Sequence, residues 1–297
     1  MVTCPVEWCD YENSPASVAG HISGTHDDDH DWQKLGYEGI WDFRNQFETE
    51  SAACTTILHM TDSHIGKISG GFFKTKWEVD CAKGFQMAID KAIELDVDSV
   101  LHTGDLFHND QFGISESQKY LVENQLWRLN RYEIPFLYIV GDHERENGQA
   151  ILHWLANIGY AKHLTQIPVN VGEHVALYGQ DHRNREFWNC ANWKPEPPGD
   201  RFSILGLHQS MAPYSPKKPP DLHVKDIKTW TAKNSGFSFN VIALGQLHRE
   251  IDEMSEATRV ICGGATERLG KTESAIEPSV GLFQVTSDDI KYRRIYL

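Results

Sequence analysis

Five apolar runs, each stopped by an acid, amide or imidazole side chain, constrain this chain more than any other feature. Thr56-Ile57-Leu58-His59-Met60 leads into Asp62-Ser63-His64, and Ser99-Val100-Leu101-His102 into Gly104-Asp105-Leu106-Phe107-His108. Phe136-Leu137-Tyr138-Ile139-Val140 then leads into Gly141-Asp142-His143-Glu144. Later, Leu205-Gly206-Leu207 ends on His208, and Ala243-Leu244-Gly245 on Gln246-Leu247-His248. Short apolar runs of this kind read as strands. Open α/β sheets place their sites at the carboxyl ends of such strands. One histidine after a strand is ordinary; five such stops in order point to a two-metal centre.

The intervening segments fit that reading. Trp77 to Leu95 carries Cys81, Phe85, Ala88, Ile89, Ala92 and Ile93 at helical spacing, which predicts an amphipathic helix lying on a sheet. Gln118 to Asn130 and Gln149 to Asn157 read as further helices. Later strands are expected at 175–178, 202–207, 241–244, 259–262, 281–285 and 290–296, with a Pro-rich loop from Pro213 to Pro220. Two mixed sheets packed face to face with helices outside, a four-layer α/β/β/α sandwich, is the expected architecture.

The first fifty residues differ in character. They hold eleven acidic side chains against two basic ones, so a net −9 of the chain's −14 sits there. Cys4-x4-Cys9-x11-His21-x4-His26 approaches the spacing of a two-Cys, two-His zinc site, with a helix expected over 15–22 and His30 as a competitor for the fourth position. A module this small has little core, and a metal would explain how it folds. Residues 1–50 are therefore expected to form an acidic zinc module and linker, and 51–297 the main domain. Acidic residues from Asp27 to Asp31 argue against groove reading by this finger. They favour a protein contact or a purely structural role. Six scattered cysteines do not form a disulfide framework. Without a signal-like N-terminus or an apolar run near the ~20 residues of a membrane span, a cytoplasmic protein that does not enter membranes is expected.

The order Asp62-x-His64, Gly104-Asp105, Gly141-Asp142-His143, His208 and Gln246-x-His248 resembles the calcineurin-like metallophosphoesterase superfamily. Gly104-Asp105-Leu106-Phe107-His108 and Gly263-Gly264-Ala265-Thr266-Glu267-Arg268 look like its SbcD-type DNA repair nucleases, the family of the meiotic-recombination-eleven nuclease. The resemblance spans about 54–297. It implies two divalent cations, with Mn²⁺ favoured and Mg²⁺, Fe²⁺ or Zn²⁺ as alternatives. Asp62, His64, Asp105 and His248 would hold the first. Asp105, Asp142, His208 and Gln246 would hold the second, with Asp105 shared. His143 would be the general acid or transition-state stabiliser, and His108 would orient the phosphate. Asp142 stands where the family has Asn, and Gln246 where it has His, so the second position should be oxygen-richer and prefer hard ions.

The substrate expected from the resemblance is DNA. Lys67, Lys74 and Lys76, in a Gly- and Phe-containing loop without acids, and Arg145 beside the third motif, are candidate backbone contacts. Lys217, Lys218, Lys225, Lys228 and Lys233 form a second basic group. The cap and tail that follow the catalytic domain in SbcD-type nucleases have no counterpart in the sequence, so an SbcC-type ATPase partner is not expected. Two other functions fit the same residues: a hydrolase of small phosphate esters, and a non-catalytic adaptor with a degenerate second metal position.

Overall fold

The computed structural model describes the chain except residues 1, 14, 26, 41–53, 68–79, 109–112, 145–146, 191–192, 216–219, 256, 270–272 and 274. His26, Lys74, Lys76, Arg145, Lys217 and Lys218 therefore lie outside the described residues. Two six-stranded mixed sheets form the centre. The first uses β1 (Thr55–Met60), β2 (Ser99–Thr103), β3 (Phe136–Ile139) and β4 (Lys162–His163). The second uses β5 (Val169–Val171), β6 (Val175–Gln180), β7 (Phe202–His208), β8 (Val241–Gly245), β9 (Glu250–Ser255) and β10 (Thr258–Gly263). The chain then returns to the first sheet with β11 (Ser279–Val285) and β12 (Ile290–Tyr296).

The first sheet runs β12-β11-β1-β2-β3-β4, parallel from β1 to β4 and antiparallel at β11 and β12. The second runs β9-β10-β8-β7-β6-β5, with parallel pairs among β6, β7, β8 and β10 and antiparallel strands at both edges. Ile57, Leu101, Leu137, Leu177, Ile204, Ala243, Ile261 and Phe283 meet between the sheets and are buried. Parallel strands with both faces covered carry no alternation, which is why β1, β2 and β3 read as unbroken apolar runs.

Helices cover the outer faces. On the first sheet lie α2 (Cys81–Glu94), α3 (Glu116–Arg131) and α4 (Asn147–Asn157). Asp80 caps α2 by accepting the Lys83 N–H at 3.0 Å, and Phe85, Ala88, Ile89 and Ala92 form its buried stripe. Ser115 and Gln118 close a capping box on α3. On the second sheet, α5 (Arg185–Cys190) and α6 (Val224–Ser235) cover an aromatic core in which Trp188 and Trp230 stack at 5.4 Å. The expected four-layer sandwich is the observed one.

The strands β4, β5 and β9 and the helices α5 and α6 escape the sequence reading. The stretch holding Lys225, Lys228 and Lys233 forms α6, whose Val224, Ile227 and Thr231 are buried one and two turns apart. The strand β9 is polar because it is an edge. Ile251 alone is buried among its six residues, and it pairs through the backbone with β10.

A small module packs behind α2 and α3. A two-stranded ribbon, Val2–Thr3 with Glu12–Asn13, precedes α1 (Pro15–Gly24). Cys4, Val6, Val18, Ala19 and Ile22 form its core. Gly20 lies so close to Tyr132 that an added Cβ would fall 2.1 Å from the ring. Arg131 donates to the Ser23 carbonyl at 3.1 Å. We place the boundary between the module and the sandwich near residue 50, as a proposal resting on the separate cores.

Candidate metal centre

The ends of β1, β2 and β3 in one sheet and of β7 and β8 in the other bring the motif side chains into one space. Asp62 follows β1. Its Oδ2 accepts the Thr61 hydroxyl at 2.8 Å and the Gln246 N–H at 3.0 Å. Its Oδ1 is buried without a hydrogen-bond partner and faces the Nε2 atoms of His248 at 3.2 Å, His64 at 3.8 Å and His208 at 4.0 Å. Asp105 repeats the arrangement after β2. Oδ1 accepts the His143 N–H at 2.9 Å, while Oδ2 faces His208 Nε2 at 3.3 Å and His64 Nε2 at 3.5 Å. Asp142 Oδ1 lies 3.2 Å from His208 Nε2.

The imidazoles follow the same rule, with one nitrogen engaged outside and the other turned inward. His208 Nδ1 donates to the Thr103 carbonyl at 2.8 Å, and His248 Nδ1 to Glu273 Oε1 at 2.9 Å. His64 Nδ1 meets His108 Nδ1 at 3.1 Å. Partners of this kind fix the tautomer and aim of metal-binding histidines. Inward atoms 3.2 to 4.0 Å apart lie at or a little beyond the edges of a coordination polyhedron. With metal–ligand bonds of about 2.1 Å, neighbouring ligands sit roughly 3.0–3.4 Å apart. Asp62 Oδ1, His208 Nε2 and Gln246 Oε1 are all buried and unpartnered, which is the expected condition of ligand atoms awaiting a cation. The residues present therefore fit a divalent metal.

Electrostatics agree. Burial raises the Asp62 and Asp142 carboxyls, but hydrogen bonds and charge from the surrounding histidines outweigh it and hold both well below the usual carboxylate range. Burial lowers His208 and His248, yet carboxylates reverse the effect. His208 rises well above its ordinary value and His248 goes up to about 10. Burial wins at His64, which falls to about 3. A pocket of three carboxylates is built to attract positive charge.

The backbone is strained where it turns these side chains inward. Asp62, His64, Asp105, Gln246 and His248 all have positive φ, five of the eight such non-glycine residues among those described. Each costs roughly 1–3 kcal/mol, a cost that clusters at functional sites. Gly141 permits the close approach, because a Cβ there would lie 2.1 Å from Asp105 Oδ1.

Two participants have no role that the sequence reading assigns. Glu144 is fully buried and accepts the N–H groups of Asp105, Leu106, Phe107 and Gly141, so one carboxylate ties the second strand end to the third. Burial, then the charge of Asp105, push it up to about 8. Glu273 comes from a loop before β11, and nothing in the sequence marks it as the partner of His248. By contrast, His59 and His102 are buried inside β1 and β2, bonded to Thr103 Oγ1 and Ser63 Oγ. Burial lowers them to about 4 and 3, as packing groups.

His143 stands at the open side. Its ring stacks on His108 at 4.7 Å and meets His64 edge-on at 4.8 Å. Lys67 follows closely, its N–H bonded to the His64 carbonyl. A 320 Å³ cavity lined by Gly141, Asp181, His182 and Arg183 adjoins the third strand end. No helix among the described residues is long and apolar enough to cross a membrane.

Comparison with known proteins identifies the family. The family profile "Calcineurin-like phosphoesterase" matches residues 55–248. The chain is 29% identical over 242 residues to the DNA double-strand break repair protein Mre11 of Haloferax volcanii, covering 81% of this chain and 52% of that protein. It is 30% identical over 222 residues to the Methanosarcina mazei protein of the same name (73% and 34%) and 29% over 228 residues to that of Sulfolobus acidocaldarius (73% and 56%). The chain thus spans between a third and just over half the length of these relatives. In fold it resembles a dimetal phosphatase from Danio rerio, with TM-score 0.53 at 9% identity over 82% of this chain and 96% of that one. A Thermus thermophilus protein gives TM-score 0.50 at 8% identity over 83% and 99%. The matched span runs from β1 to His248, the stretch over which the strand ends deliver their carboxylates and imidazoles, and the chain belongs to the calcineurin-like phosphoesterase family of metal-dependent hydrolases.

Proposed function

We propose that the protein is a two-metal phosphodiesterase acting on DNA. The observation that carries this reading is the set of inward-facing carboxylates and imidazoles gathered from five strand ends, with Asp62 Oδ1, His208 Nε2 and Gln246 Oε1 buried and unpartnered among them. Asp62, His64, Asp105 and His248 would hold one cation, and Asp105, Asp142, His208 and Gln246 the other. Asp105 Oδ2, facing both His64 and His208, suits the shared position. Bound there, the cations supply an acidified water and neutralise charge on phosphorus.

The remaining work falls to the chain itself. His143, at the open side, donates a proton to the leaving oxygen, and His108 keeps its ring in place by stacking. Arg183 and Lys67 flank the centre as phosphate contacts. The buried, unpartnered Oε1 of Gln246 supports an amide ligand binding through oxygen rather than a degenerate position. With Asp142 as a further oxygen ligand, that half favours Mn²⁺ or Mg²⁺ over Zn²⁺. The likeness to archaeal proteins named Mre11 favours DNA over a small ester.

The test is hydrolysis of end-labelled DNA beside a chromogenic phosphodiester, with Mn²⁺, Mg²⁺ or Zn²⁺ supplied in turn. DNA turnover highest with Mn²⁺ or Mg²⁺ is expected, with His143→Ala reducing it roughly 10²- to 10⁴-fold while DNA binding persists. Turnover of the small ester alone would replace DNA with a small-molecule substrate. Turnover of neither would leave a metal-binding adaptor.

A further inference from the structure

The acidic N-terminal module carries a second, chemically distinct cluster. Cys4, Cys9, His21 and His30 each aim one donor atom into a common space, with all four atoms within 4.8 Å of one another. Cys9 Sγ lies 3.1 Å from His21 Nε2, and the His21 and His30 rings meet edge-on at 4.9 Å. Both cysteines are free thiols. His30 is 5% exposed, and its Nε2 is buried without a hydrogen-bond partner. Its other nitrogen, Nδ1, is clamped by both oxygens of Asp27, at 2.8 and 2.9 Å.

We propose that Cys4, Cys9, His21 and His30 bind one structural Zn²⁺, with Asp27 as the positioning residue that aims His30 at it. Two thiolates and two imidazoles within tetrahedral reach are the donor set of a closed zinc site. This assignment gives the fourth position to His30, where the spacing singles out His26, a residue outside the described ones. The reason lies in the helix. α1 ends at Gly24, with the Thr25 N–H and hydroxyl both closing on the His21 carbonyl. The chain then turns at Asp27, whose Oδ1 also accepts the Asp29 and His30 N–H groups. That turn carries His30 back beneath His21. The carboxylate on Nδ1 leaves the lone pair of Nε2 facing the thiolates, the orienting contact that metal-bound histidines show.

The core of the module is too small to hold it alone, with five buried apolar residues. The metal would thus also keep α1 seated on α2 and α3, through the Gly20–Tyr132 contact and the Arg131–Ser23 bond. The proposal is independent of the catalytic reading, because the strand-end centre has no cysteine among its ligands.

Substituting Co²⁺ into the full-length protein and recording the thiolate-to-cobalt charge-transfer absorption tests it, since carboxylates and imidazoles give no such band. Wild-type protein should show the band, and His26→Ala should leave it unchanged. His30→Cys should retain the metal and strengthen the band through a third thiolate, which rules out simple misfolding. Asp27→Asn should weaken affinity roughly 10- to 100-fold. Absence of the band in wild type, or its loss in His26→Ala with retention in His30→Ala, would overturn the assignment.

Discussion

Asp105→Asn is expected to cost roughly 10³-fold or more in kcat/KM while leaving the fold intact. An amide keeps the shape of the carboxylate, and its oxygen can still accept the His143 N–H that Oδ1 accepts now. What changes is the atom facing His64 and His208. An anionic Oδ2 at 3.5 and 3.3 Å from two imidazole nitrogens becomes an NH₂ group with no lone pair to offer. On the proposed reading both cations lose their common ligand, and several kcal/mol of charge stabilisation goes with it. Steady-state kinetics with saturating Mn²⁺, beside a thermal melt, make the check. A variant that melts near wild type yet keeps activity within about tenfold would show that Asp105 is not shared between two ions.

Glu144→Ala should produce the largest loss of stability. One buried carboxylate satisfies four backbone N–H groups from two separate strand ends. Removing it leaves those donors unpaired, at about 1–3 kcal/mol for each that water does not reach. A total on the order of 4 kcal/mol or more is therefore expected, read as a lower midpoint in urea. Activity should fall with it, because the freed loops carry Asp105 and Asp142. A displacement of about 1 Å at a catalytic group costs roughly a hundredfold. Glu144→Gln should fall between, since its amide keeps a single acceptor oxygen for four N–H groups. An alanine variant unfolding at the wild-type midpoint would contradict the clamp.

The sequence makes some of this legible and hides the rest, for physical reasons. Strands β1, β2, β3, β7 and β8 are buried on both faces, so their apolar runs stop abruptly where polar ligands begin. Those stops form the candidate centre. The edge strand β9 leaves one residue of six in the core, and the helix α6 is masked by its lysines and the Pro-rich stretch before it. Glu144 stands in a motif, yet its role arises because it folds back beneath its own loop onto Asp105, Leu106 and Phe107, a contact no spacing announces. Glu273 reaches His248 across twenty-five positions from a loop with no pattern. In the module, spacing favours His26, whereas the turn held by Asp27 brings His30 to Cys4, Cys9 and His21.

The most direct measurement is anomalous diffraction from crystals of the full-length protein grown with Mn²⁺. The account predicts two peaks at the strand ends, roughly 3.5–4 Å apart, with Asp105 contacting both, Gln246 and Asp142 at the second, and His143 beside them without touching either. A single peak, or manganese bound away from Asp62 and His208, would contradict it.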